Sequence, residues 1–182
     1  HALIATLAAM HHASSSEPPV FADSAGRYRA LCQELAGLLT GERDWLVNLA
    51  YTAALLHLRL PDLNWAGFYL WRGGELVLGP FQGKPACVRI ARGRGVCGTA
   101  AARRATIVVA DVHEFPGHIA CDAASASEIV VPLAAGGRQL GVLDLDSPNV
   151  GRFTPDDQRG LEDVVRILLC GTDWPADIGD PL

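Results

Sequence analysis

Five cysteines, Cys32, Cys87, Cys97, Cys121 and Cys170, are spread along the chain with no C-x-x-C pair among them. The usual zinc-ribbon and thioredoxin-type spacings are therefore absent, and the thiols divide into packed core groups and reactive ones. Cys121 lies in Pro116-Gly117-His118-Ile119-Ala120-Cys121-Asp122, a polar, glycine-bearing stretch unlike a core setting. There His118 or a nearby helix N-terminus could favour a thiolate. A reactive nucleophile and a merely exposed thiol both fit that context. Cys97 falls just inside a short helix expected to start after Gly95, where the helix dipole favours a thiolate. Packing under a sheet beside Ala100 and Ala101 is the competing expectation. Cys87 sits near a loop–strand junction where Lys84 or Arg89 could lower its pKa, and an ordinary strand position is the alternative. Cys32 and Cys170 accompany helical apolar stripes and read as structural.

Acidic residues add a second kind of chemistry. Leu143-Asp144-Leu145-Asp146 continues the apolar run Leu140-Gly141-Val142. Alternation places Asp144 and Asp146 on one strand face with Leu140 and Val142, and Glu128 opens the neighbouring strand. Carboxylates in such apolar surroundings are costly to bury unless paired or used. Three together could hold a ligand ammonium or keep a shared proton at raised pKa for acid catalysis. Their alternative is a solvated position flanking turns. His113, His118, Cys121 and Asp122 match no standard zinc spacing, so no metal is assigned. Gly93-Arg94-Gly95 lacks the Gly-Lys-Ser/Thr ending of a phosphate loop.

These groups need elements to position them. Asp23 or Ser24 caps a first helix carrying Tyr28, Leu31, Cys32, Leu35, Leu38 and Leu39 at helical spacing. A second runs from about Arg43 to Leu58, with Trp45, Leu46, Leu49, Ala53 and Leu56 inward. Asn64–Trp71 and Glu75–Leu78 form a hairpin through Arg72-Gly73-Gly74, with Trp65, Gly67, Tyr69 and Trp71 on one face. A strand over 87–90, a helix over 95–103 and a strand over 106–109 follow. Asp111–Ser127 is an aperiodic stretch, and one this long inside a domain is usually functional. Glu128–Leu133 and Gln139–Asp146 make a second hairpin, and Thr154-Pro155 opens a closing helix. The order is α+β, with a mostly antiparallel sheet.

Length and composition set the outer bounds. The chain has 182 residues, 49% of them hydrophobic and 19% charged, which fits one domain with a real core. Residues 1–22 read as a flexible lead-in, 23–172 as the domain and 173–182 as a C-terminal tail. The opening His1–Met10 is apolar but short and lacks the basic start of a signal peptide, and a first residue other than Met suggests a truncation or an expression remnant. A cytoplasmic, non-membrane protein is expected. The net charge of −5 and the lack of a basic stripe argue against nucleic acid as a partner.

Several blocks then carry a resemblance. Asn64-Trp65-Ala66-Gly67-Phe68-Tyr69, Gly79–Cys87, Gly93–Thr99, Asp111-Val112-His113, Pro116–Asp122, Ser127–Pro132 and Gly141–Ser147 together resemble the free methionine-(R)-sulfoxide reductases, single domains of the GAF fold. The similarity spans about Tyr28 to Leu169. It departs at Ala91-Arg92, where an aromatic is common, and at both ends. The resemblance implies a central antiparallel sheet flanked by N-terminal and C-terminal helices, often dimeric. It implies Cys121 as nucleophile, Cys87 as resolving thiol and Cys97 as an auxiliary thiol. Glu128, Asp144 and Asp146 would hold the substrate amine and help protonate the sulfoxide oxygen, with Trp65 and Tyr69 walling the methyl-sulfinyl group. No cofactor is implied, thioredoxin or a similar dithiol would be the reductant, and a role under oxidative stress follows. The same fold also serves as a regulatory module for small ligands, and a Cys87–Cys121 pair could act as a redox sensor without turnover.

Overall fold

The computed structural model describes residues 23–117 and 123–181. Helix α1 (Ser24–Leu38) begins where the Asp23 carboxylate accepts the Gly26 N–H, and α2 (Trp45–Arg59) where Asp44 accepts those of Leu46 and Val47. Both carboxylates satisfy amide groups that the first helical turn leaves unpaired. Strands β1 (Trp65–Arg72) and β2 (Glu75–Gly83) follow, then β3 (Arg89–Ala91), α3 (Gly95–Arg103) and β4 (Ile107–Val109). After a single 3₁₀ turn at Val112–Glu114 come β5 (Ser127–Ala135), β6 (Arg138–Ser147), α4 (Pro155–Gly171) and the short β7 (Asp180–Pro181).

All strand pairings are antiparallel, in the order β3-β2-β1-β6-β5-β4, with β7 added to the end of β6. Two-residue glycine turns close both long hairpins. Gly73 and Gly74, and likewise Gly136 and Gly137, all have positive φ, the conformation that matches the twist of paired strands.

The sheet separates two apolar layers. Ala66, Phe68, Leu70, Ile129, Val131, Leu143 and Leu145 pack against α1, α2 and α4. Trp65, Tyr69, Trp71, Val130 and Val142 face the other way, toward α3. The expected split of β1 into two faces is therefore present. Leu140 is a correction, because it joins the α1/α2/α4 layer rather than the face of Asp144. The register slips between Leu133 and Ala134, which pair with Gly141 and Gln139, so Leu140 is an extra residue on β6. Such a bulge breaks the period-two pattern and turns the side chain over.

Two further helical expectations shift. Leu46 is exposed, and Asn48 and Thr52 take the inner face of α2 instead. Asn48 Nδ2 donates to the Gly171 carbonyl and to Thr172 Oγ1, which ties α2 to the end of α4. Cys32 is packed against the core as expected, whereas Cys170 is exposed rather than structural. The segment after α4 is docked as well. Asp173 pairs with Arg43, Ile178 is buried, and Arg138 donates to the carbonyls of Pro175, Ala176 and Ile178.

The α1–α4 contact turns on one glycine. A Cβ at Gly160 would run into the ring of Tyr28, whose hydroxyl donates to Asp157 at 3.0 Å. Asp157 also accepts from the Thr154 N–H in a capping box and from Arg152. Gly160→Ala should therefore destabilise the domain by at least about 1–3 kcal/mol through overpacking. Urea unfolding with an unchanged midpoint would contradict this packing.

Candidate active site

One cross-strand row lays out the site. Glu128 on β5 pairs with Asp146 on β6, which pairs with Trp65 on β1. In the next row Val130 pairs with Asp144, and Asp144 with Gly67. The three carboxylates thus come to one face from adjacent central strands. Gly67 leaves room beside Asp144, since a Cβ there would strike Phe81 and the Trp65 ring. Trp65 can then lie flat, stacked on Phe81 with centroids 5.4 Å apart and on Tyr69 at 5.9 Å.

Helix α3 covers this face. A Cβ at Gly98 would meet the Ala91 carbonyl oxygen, so glycine allows the helix to sit close on the preceding turn. That seats Cys97 against the floor, with Sγ 3.8 Å from Glu128 Oε1. Cys97, Glu128 and Asp144 are only 4%, 6% and 6% exposed, and each offers an atom within 4.8 Å of the others. Asp146 is half-buried beside them. The carboxylates are therefore gathered into a pocket rather than left flanking turns.

Burial dominates the electrostatics. It pushes the Glu128 carboxyl well above its ordinary range, and the neighbouring Asp144 and Asp146 charges push it further. Burial likewise raises Asp144 to about 7, with hydrogen bonds from Cys97 and Glu128 acting in the opposite direction. Glu128 and Asp144 form a pair that keeps a proton at neutral pH. Cys97 is also pushed well above the usual thiol value by burial and by the two acids, so it stands as a thiol despite its place in the first turn of α3. Asp144 Oδ1 is buried without a hydrogen-bond partner among the described residues.

The pocket is small, with about 40 Å³ of open volume. Trp65 and Tyr69 wall it, Glu128, Asp144, Asp146 and Cys97 form its floor, and Lys84, Arg94 and Ser125 stand around it. The aromatic walls also fix the segment before β3. Trp65 Nε1 donates to the Lys84 carbonyl at 3.2 Å, and the Tyr69 hydroxyl to the Cys87 carbonyl at 3.0 Å. Cys87 is disulfide-bonded, while Cys32, Cys97 and Cys170 are free thiols. Arg89 pairs with Glu75 rather than serving Cys87. His118, Cys121 and Asp122 lie outside the described residues, and His113 is exposed.

Sequence reasoning passed over Ser125 and Phe81. Ser125 Oγ accepts from Asn64 Nδ2 at 3.0 Å, joining the aperiodic stretch to the start of β1. No periodicity marks that serine. Phe81 belongs to the part of β2 beyond Leu78, after the bulge that shifts its register with β1 between Gly67 and Tyr69.

The raised acid carries a stability signature. The folded protein holds the Asp144 proton up to about 7, whereas the unfolded chain releases it near the ordinary 3.8. That contribution to stability is complete below the unfolded value and is lost as pH rises through about 7. Asp144→Asn should therefore show a smaller fall in Tm than the parent between about pH 4 and about pH 8. Parallel Tm–pH curves for the two proteins would argue against a buried, protonated Asp144.

Residues 23–168 match the GAF domain family, and the chain belongs to it. Within that family it belongs with the free methionine-R-sulfoxide reductases. It is 55% identical over 150 residues to the free methionine-R-sulfoxide reductase of Escherichia coli, covering 81% of this chain and 91% of that one. The Saccharomyces cerevisiae protein of the same name is 44% identical over 140 residues, covering 72% and 78%. The X-ray structure of the Neisseria meningitidis free methionine-R-sulfoxide reductase in complex with its substrate superposes with a TM-score of 0.81 at 44% identity, covering 87% of this chain and 95% of that one. None of the described helices is long and apolar enough to cross a membrane.

Proposed function

We propose that this protein reduces free methionine-(R)-sulfoxide to methionine with Cys121 as nucleophile and Cys87 as resolving thiol. The observation that carries this reading is the buried Glu128–Asp144 pair, its carboxyls pushed upward by burial, set beneath the aromatic walls and next to the disulfide-bonded Cys87 segment. A sulfoxide sulfur resists a thiolate until its oxygen is protonated, so an acid has to be present beside the nucleophile. Asp144 Oδ1, with no donor among the described residues, is suited to accept a hydrogen bond from a substrate ammonium. Trp65 and Tyr69 offer a small apolar wall for the methyl group.

In the proposed reaction the Cys121 thiolate attacks the sulfoxide sulfur while the acid pair gives a proton to its oxygen. The oxygen passes to Cys121 as a sulfenic acid, methionine leaves with its sulfur reduced, and the acid pair regains its proton from solvent. The Cys87 thiol then condenses with the sulfenic acid, forming the Cys87–Cys121 disulfide and releasing water. An external dithiol of the thioredoxin type reduces that disulfide to two thiols. Cys97, whose thiol faces the acids, serves as an auxiliary group, and no bound cofactor takes part. The working unit is a homodimer in the cytoplasm.

The deciding experiment supplies free methionine sulfoxide of each epimer with a dithiol and follows methionine by chromatography. Methionine from the R epimer alone supports the proposal. A protein that binds the sulfoxide without releasing methionine, or forms its disulfide only as a signal, would overturn it.

A further inference from the structure

We propose that the pocket floor is also a site for a thiophilic divalent cation of the zinc type, held by Cys97 Sγ, Glu128 and Asp144, and that the ion and the substrate ammonium exclude one another. The proposal rests on the reading of this pocket as the substrate site only for that exclusion. One atom from each of the three side chains lies within 4.8 Å of the others, and Cys97 Sγ is already 3.8 Å from Glu128 Oε1. Around a tetrahedral zinc, sulfur at about 2.3 Å and oxygen at about 2.0–2.2 Å stand roughly 3.5 Å apart, so closing the set shortens no separation by more than about 1.3 Å. Asp144 Oδ1 is the second, independent mark. It is buried in the pocket with no hydrogen-bond partner among the described residues, an acceptor that a cation would satisfy. The open volume of about 40 Å³ exceeds the roughly 10–15 Å³ that one water needs, so a bare ion with one water fits. A water there would complete the fourth position.

Donor chemistry selects the class of ion. A sulfur ligand with two carboxylate oxygens suits zinc, whereas magnesium and calcium take oxygen sets and more ligands. On binding, the thiol and the acid pair give their protons to solvent, and bonds from sulfur and the carboxylate oxygens to the metal replace the S–H and O–H bonds. The set uses neither Cys87 nor Cys121, so it is present in the disulfide form. Both the ion and an ammonium need the same Asp144 and Glu128 oxygens, which is the physical basis of the exclusion.

The test titrates cobalt(II), a spectroscopic stand-in for zinc, into the full-length oxidised protein. One equivalent should produce a near-ultraviolet charge-transfer band of single-thiolate character, and zinc should displace it. The band should vanish in Cys97→Ser. It should need at least about tenfold more cobalt in Glu128→Gln, since even outer partners of a metal site are worth 10–100-fold in affinity. It should survive in Cys32→Ser/Cys170→Ser, and thermal melts establish that each variant is folded. In Cys87→Ser/Cys121→Ser, which cannot turn over, free methionine-(R)-sulfoxide should raise the cobalt needed for half the band. No band, or a band that follows Cys32 or Cys170, overturns the site. A band unmoved by saturating sulfoxide overturns the exclusion. Turnover by the metal-free parent protein is a separate result, so failure of the ion site and failure of the reductase reading are distinguishable.

Discussion

Cys121→Ser should release no methionine even in a single turnover, because the hydroxyl that replaces the thiol is not a competent nucleophile at neutral pH. Cys87→Ser should behave differently. Its nucleophile and acid pair remain, so about one methionine per active site appears and the reaction then stalls at the sulfenic acid. A sulfenic-acid trap should label that stalled protein. Cys32→Ser should leave turnover near the parent level, since its thiol packs against the helical layer on the opposite side of the sheet from the pocket. Cys170→Ser should do the same, from its exposed place at the end of α4. Burst and steady-state measurements on these four variants separate the roles. Sustained turnover by Cys121→Ser would remove the nucleophile from the proposal.

The second large effect concerns substrate size. An N-acetylated peptide containing methionine sulfoxide has no ammonium to offer Asp144 and Glu128. Leaving a buried charge partner unmatched costs about 3–5 kcal/mol. That corresponds to a loss of roughly a hundred- to a few-thousand-fold in kcat/KM relative to the free amino acid. The chain on either side of the residue must also pass Lys84, Arg94 and Ser125 around a cavity of about 40 Å³, which adds a steric penalty. Comparable kcat/KM values for peptide and free sulfoxide would show that the acid floor does not read the amino group.

Much of this arrangement was legible in the residues because it follows simple periods. Alternation put Trp65 and Tyr69 on one face, and the structure shows both walling the pocket. Thr154-Pro155 with Asp157 signalled a helix start that the capping box realises. Asp144 and Asp146 were correctly placed on a common face, but their supposed companion Leu140 was not. A bulge adds one residue without leaving a compositional mark. Cys97 shows a different limit. Its position in the first turn of α3 suggests a thiolate, yet that expectation omits the burial of the thiol and the two acids the sheet brings beneath the helix. Local position gave one sign for its pKa, and long-range pairing decided the other. Ser125 and Phe81 joined the site through a side-chain hydrogen bond and a shifted register, neither of which a single sequence displays.

The placement of the floor's acids on β5 and β6 bears on how the domain breathes. β6 and β1 are the two innermost strands of the sheet, and β5 and β2 flank them. Amides in such central ladders exchange with solvent only through the largest openings of a protein, while loops exchange through small local ones. The acids are thus anchored on inner strands of the sheet, where openings that would change their spacing are the rarest. In the proposed reaction, acids fixed in this way need no reorganisation to be aimed at the substrate. What this placement demands instead is that two carboxyl groups stay out of water for the lifetime of the folded state, and the protein meets that demand by leaving a proton on the pair.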